Sequence, residues 1–190
     1  FQTRQTEREL LENTFRGSIE VLTDVLAVSN PTAFGRPQRV LRLMRQLYEA
    51  MQRTMGWEEE VAAMLSHLGC ITLPAETLER AIKGEHLFWD ERRLLRRHPR
   101  VAYDLLAPIP RLSKVREIIR WQNAGLEEEE HPTDSDGKRG LLEADKPPEG
   151  TEVPFASHVL RLAIDFDTIE SSGLVRRKAL ESILERKGQY

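Results

Sequence analysis

Apolar residues in this chain recur almost throughout at the three- and four-residue intervals of an α-helix. No stretch alternates apolar and polar residues for long enough to make a strand. From Thr6 to Val28 the stripe is Leu11, Phe15, Ile19, Leu22 and Leu26, with Arg8, Glu9, Glu12, Arg16 and Glu20 on the opposite face. Asn30-Pro31 ends this helix, because the residue before a proline is pushed out of helical angles. Further stripes are Val40, Met44, Leu47 and Met51, then Trp57, Val61, Met64, Leu65 and Leu68 up to Gly69. Pro74 starts a short helix to about Ile82. The helix opening near Trp89 shows Leu94, Leu95, His98, Val101, Ala102 and Leu105 on one face, and Pro99 predicts a kink or a restart within it. Leu112, Val115, Ile118, Ile119 and Gln122 mark another. Phe155, Val159, Leu162, Ala163 and Phe166 mark the next, and Leu180, Ile183 and Leu184 the last. Asn123 to Val153 breaks the pattern with glycines, prolines and the acids Glu127 to Glu130, which reads as a long polar loop that is either functional or disordered. The predicted fold class is all-α.

At 190 residues the chain has the size of one domain, or of one domain with an appended helix. It is 39% hydrophobic and 31% charged, thin for a chain of this length, which is what long surface helices produce. The net charge of -3 exerts no general pull toward nucleic acid or anionic lipid, so neither partner is expected. No segment approaches the roughly 18 to 20 uncharged apolar residues that span a bilayer, and a soluble protein is expected. Cys70 is the single cysteine, so an internal disulfide and a thiolate zinc site are both excluded, consistent with a reducing cytoplasm.

Candidate chemistry is sparse. The five histidines, His67, His86, His98, His131 and His158, show no spacing of the HExxH kind. Neither a phosphate-binding GxxxxGK loop nor a GxSxG elbow is present. Cys70 follows Gly69 at a helix end, where no dipole lowers a thiol pKa, so a buried structural thiol is expected. The sharpest local feature is His98 inside an apolar stripe. It is expected near Ser66 and His67, with one of these neighbours or a carbonyl supplying its hydrogen bond. Phe88, Trp89, Tyr48 and Trp121 read as packing residues. Arg92, Arg93, Arg96, Arg97 and Arg100 read as a solvated face able to meet the acids of the loop.

Four ordered segments resemble the HD-GYP branch of the HD-domain phosphohydrolases. AAMLSHLGCITLP (Ala62 to Pro74) looks like the family's AALLHDIGKIGIP, and GRPQRV (Gly35 to Val40) like its GHxxRV. RRHPRVAYDLL (Arg96 to Leu106) is similar to its HPxxGxxLL, and VPFASHVLRLAIDFD (Val153 to Asp167) to its IPxxARILxVADxFD. The resemblance covers nearly all of the chain after about residue 17 and implies an HD-like helical bundle with a metal-dependent phosphohydrolase ancestry.

The departures fall on the family's ligands. Arg36 stands for its first metal-binding histidine, and Ser66 and His67 for its His-Asp pair. Cys70 stands for its lysine, Gln122 and Asn123 fall at its HHE segment, and Ile164 replaces the aspartate of its VAD segment. Only His98 survives clearly, and the GYP motif is absent. The vestigial pocket expected from this alignment comprises Arg36, Ser66, His67, His98, Gln122, Ile164 and Asp167. A catalytic cation needs several converging oxygen or nitrogen ligands, which this set does not provide, so no metal, no cofactor and no catalytic residue is expected. Arg36 carries the charge an ion would have carried, and it can hold Asp167, Glu58 or an anionic ligand.

The organisation implied is an amphipathic signalling or linker helix over 1–28 and a degenerate HD-GYP-like helical domain over 29–190. The expected role is a non-catalytic output module of a cytoplasmic two-component response regulator, acting through an unidentified signalling protein or through rearrangement of its own dimer. In the resembling family such domains follow a receiver domain, and a start at Phe1 fits a piece cut after one. The first helix is then the expected homodimer surface, or an ordinary first helix of the bundle. Two other readings remain open. One is a phosphodiesterase with an altered metal site built from His67, His98, Asp165 and Asp167. The other is a non-hydrolysing cyclic-dinucleotide sensor with Arg36 and Arg111 as phosphate contacts.

Overall fold

The structure, a computed structural model, describes residues 2–29, 31, 35–124, 129–130, 141–142, 147–173 and 176–185. Among the described residues eight α-helices follow one another: α1 Gln2–Ser29, α2 Arg36–Ala50, α3 Trp57–Leu65, α4 Ala75–Lys83, α5 Trp89–Leu105, α6 Ser113–Arg120, α7 Phe155–Ser171 and α8 Arg176–Glu185. Two 3-10 turns, η1 Leu68–Thr72 and η2 Pro110–Leu112, connect them. The all-α expectation holds, apart from a two-residue antiparallel ladder within the polar segment. There β1 Glu129–Glu130 pairs with β2 Leu141–Leu142. The remainder of 125–146, and with it most of the expected loop, lies outside the described residues.

Local signals explain the helix ends. Pro37 lies in the first turn of α2, where its missing N–H costs no hydrogen bond. Three acids, Glu58, Glu59 and Glu60, sit in the first turn of α3 and meet the positive end of its dipole. Gly84 caps α4 with φ +69°, a conformation open to glycine. The Glu91 carboxylate reaches back to accept the Phe88 N–H at 2.8 Å, closing the start of α5.

One core joins most of these helices. Val40 and Met44 of α2, Val61 and Met64 of α3, Ala102 of α5, Val115 and Ile119 of α6, and Leu160 and Ala163 of α7 are all buried in it. A smaller cluster of Cys70, Leu73 and Leu78 lies under η1 and α4, and Phe166 and Ile169 of α7 bury Ala179 and Ile183 of α8.

Three expectations need correction. The stripe on α1 is split: Ile19 and Thr23 are buried and Phe15 packs edge-on to Trp57, but Leu11 and Leu22 are 51% and 62% exposed. Phe15 and Ile19 pack on the core, Arg16 reaches Glu60 of α3, and Ala27 packs on the cluster under η1 and α4, so the buried seam follows the neighbours rather than the whole stripe; the Leu26 side chain lies outside the described residues. Phe88 is exposed rather than capping the core, since it lies before the first turn of α5 and stacks under the Arg80 guanidinium instead. Of the kink or restart expected at Pro99, the restart does not occur, and helix α5 continues to Leu105. The Pro99 ring is fully buried, and η1 packs against that turn, so tertiary contact offsets the lost backbone hydrogen bond.

Candidate functional site

The residues singled out by sequence converge where η1 crosses α5. A Cβ on Gly69 would lie 1.9 Å from the His98 carbonyl oxygen, so only glycine permits this approach. The crossing brings the His67 and His98 rings into a stack with centroids 5.9 Å apart and planes 18° from parallel. Ser66, at the end of α3, donates its hydroxyl to the Ala63 carbonyl (2.8 Å) and lies 2.9 Å from His67 Nδ1. With the one hydroxyl proton so used, His67 Nδ1 is the donor of that contact, and Nε2 keeps its lone pair. Gln122 is buried behind the pair and donates to the Ser66 carbonyl at 3.2 Å. The hydrogen bond expected for His98 is absent at Nδ1, which is buried without a partner.

Across from the histidines, α2 and α7 supply charge. Arg36 Nε donates to Asp167 Oδ2 at 2.8 Å, and its Nη2 donates to the Thr168 hydroxyl at 2.6 Å. Arg39, one turn further along α2, donates to both oxygens of the same carboxylate at 2.6 and 3.2 Å. Asp167 and Arg36 are buried, whereas the Arg39 side chain is 41% exposed. Of the partners suggested for Arg36, the structure selects Asp167. One turn earlier on α7, Arg161 Nε donates to Asp165 Oδ2 at 2.8 Å, while its Nη1 is buried with no partner.

These groups border a cavity of about 290 Å³ whose walls include Arg36, His67, His98, Ile164, Asp165 and Arg161, with Arg92 and Arg96 from α5. Burial, and then the Arg36 charge, lowers His98 to about 4 and holds His67 well below the usual histidine range. Both rings are therefore neutral near pH 7. Burial pushes the Cys70 thiol on the same wall up to about 12, against the opposing pull of Arg36. A thiol so held is the inert structural cysteine that sequence suggests.

Of the expected pocket residues, Arg36, His67, His98 and Ile164 face the cavity, and Asp167, Ser66 and Gln122 lie directly behind them. Arg111 is exposed in η2 and is not on the wall. Sequence reasoning missed Arg39 and Arg161. Their signals were available, three residues after Arg36 on one helix face and four residues before Asp165 on another. It also placed Arg92 and Arg96 on a solvated face, whereas both are half-buried on the cavity wall; the acids expected to meet them lie outside the described side chains.

A divalent cation does not fit this donor set. Both oxygens of Asp167 are held by guanidinium groups, an Asp165 oxygen is held by Arg161, and Ile164 offers no donor. Among the described residues no three His, Cys, Asp or Glu side chains converge as ligands, and a cation entering would meet Arg36 at close range.

The family model described as an HD domain matches residues 20–190. No curated protein and no solved structure matches the chain. The all-helical architecture is consistent with that match. The chain belongs to the HD-domain family.

Proposed function

We propose that this chain is a non-catalytic HD domain of the HD-GYP-like kind, the signalling output module of a bacterial two-component response regulator. The observation that carries this reading is the Asp167 carboxylate, with both oxygens taken by Arg36 and Arg39. The carboxylate neutralises protein cations instead of a metal, so the helical shell is kept while its hydroxide-generating centre is lost. Signalling then passes through shape. The exposed side of α1, with Val21, Leu22, Val25 and Val28 all at least 60% exposed, supports a homodimer through this helix. A receiver domain ahead of α1, an unidentified signalling protein downstream and a cytoplasmic location complete the proposal. Neither a membrane nor a nucleic acid is part of the proposal; among the described residues no helix is long and apolar enough to cross a bilayer.

A metal-dependent phosphodiesterase with an altered site is the second reading, favoured by His67, His98 and Asp165 sharing one cavity. Hydrolysis assays with cyclic di-GMP and a generic phosphodiester, in added manganese or ferrous iron, separate the two. The output-module reading expects no turnover above that of His98→Ala. Turnover that His98→Ala abolishes establishes the enzyme.

A further inference from the structure

We propose that α1 joins a second copy of this chain as a parallel, in-register two-stranded coil, in which Leu11, Thr14, Ser18, Val21, Val25 and Val28 each meet their own counterpart. The inference rests on the output-module reading for α1 as the interface, and deepens it by fixing the direction and register of the homodimer.

Exposed apolar surface is concentrated on this helix. Of the fifteen large apolar side chains exposed among the described residues, six are Leu10, Leu11, Val21, Leu22, Val25 and Val28, each more than half exposed. At 100° per residue, Leu10, Val21, Val25 and Val28 lie across the helix from Ile19 and Thr23, which are buried against the chain's own domain. Phe15 on Trp57 and Arg16 on Glu60 of α3 already hold α1 in place. A second copy therefore meets a formed helix, and little ordering cost attends association.

The register follows from what each possible seam would bury. The six proposed positions alternate spacings of three and four, the heptad rhythm of a left-handed coil, over about 27 Å of helix. The Thr14 and Ser18 hydroxyls donate to the Leu10 and Thr14 carbonyls, each at 2.8 Å, so both residues enter the seam with hydrogen bonds already made. A seam turned toward Leu10 would bury Gly17 and Asp24 instead. Asp24 is held elsewhere, accepting from Gln38 Nε2 of α2 at 2.6 Å.

Gly17 and Leu22 set the direction. In a parallel pair, a residue on one edge of the seam meets the residue five positions later on the other chain. Gly17 is a notch, with open space where a side chain would stand, and Leu22 is an exposed knob five positions on. Parallel alignment seats each Leu22 over the other copy's glycine, and two-fold symmetry makes the contact twice. An antiparallel pair with the same seam would set Gly17 beside Asp24 and Leu22 beside Phe15, which is already packed on Trp57.

Disulfide crosslinking of the full chain tests direction and register together. Under mild oxidation Val25→Cys is expected to give a covalent dimer on non-reducing gels, whereas Glu20→Cys, on the far side of α1, is expected to stay monomeric. Cys70 is buried and does not compete. In sedimentation equilibrium, Leu22→Glu is expected to raise the dimer dissociation constant at least tenfold. Adding Gly17→Lys, an opposite charge five positions earlier, is expected to recover most of that loss. Crosslinking between Leu11→Cys and Val28→Cys chains, with none in Val25→Cys alone, would establish an antiparallel pair and overturn the inference while leaving α1 as the interface. Equal crosslinking of Glu20→Cys and Val25→Cys overturns it as well. A chain that stays monomeric at high micromolar concentration overturns both the inference and the homodimer through α1. The hydrolysis assays read the loss of catalysis separately, so that part of the output-module reading stands or falls independently.

Discussion

Gly69 sits directly against the carbonyl of His98, with no room between them for a methyl group. The contact is between backbones, one in η1 and one in α5, so no side-chain rotation relieves it. It fixes the spacing of the two helical segments that carry His67 and His98, and thereby the stacking of their rings.

Gly69→Ala forces η1 off α5. The expected loss is about 1–3 kcal/mol, the range for overpacking, read as a lower midpoint in urea unfolding. The His67 and His98 ring resonances are expected to shift in the same variant. Retention of both the midpoint and the ring shifts would show that the crossing is slack.

Acid sensitivity follows from the buried neutral histidines. The native His98 binds a proton only near 4, whereas an unfolded histidine binds one near 6.5. The unfolded state therefore holds more protons between these values, and stability falls as pH drops from about 6.5 toward 4. For His98 alone the expected loss between pH 7 and pH 5 is about 2 kcal/mol, and His67 acts in the same direction. Urea midpoints measured across this window are expected to fall for the wild type and to fall much less for the His67→Gln/His98→Gln double variant. Parallel slopes in the two proteins would rule out this origin.

The Arg36–Asp167–Arg39 cluster is expected to show asymmetry. Asp167→Asn leaves Arg36 buried without its counter-charge and is expected to cost about 3 kcal/mol or more. Replacing the buried pair together, as Arg36→Met with Asp167→Leu, is expected to recover most of that loss, since the partly exposed Arg39 can turn to water. Equal losses in the two proteins, measured by denaturant unfolding, would contradict a simple charge-pair role.

On α1, Leu22 and Val25 face solvent in the isolated chain. Leu22→Glu with Val25→Glu is expected to convert a dimer to a monomer in light scattering while leaving the melting temperature of the bundle within a few degrees. An unchanged association state would remove α1 from the interface.

The order and ends of the helices were legible because prolines, glycines and a 3.6-residue apolar period act locally, as at Pro37, Gly84 and the stripe through Val115 and Ile119. His98 was legible as a site because a histidine in an apolar stripe is locally anomalous. The charged half of the cavity was harder to see. Arg92, Arg96 and Arg161 look like surface residues in one dimension, and only the packing of α5 and α7 brings them to the cavity wall. Leu11 and Leu22 failed the opposite way: periodicity shows that α1 has an apolar side but not how much of it a neighbour covers.

Metal content decides the central question most directly. Protein expressed with manganese and iron supplements, purified without chelator and analysed by mass spectrometry of its elements, is expected to carry well below one transition metal per chain, with His98→Ala the same. One or two metals per chain, lost on His98→Ala, would contradict the account.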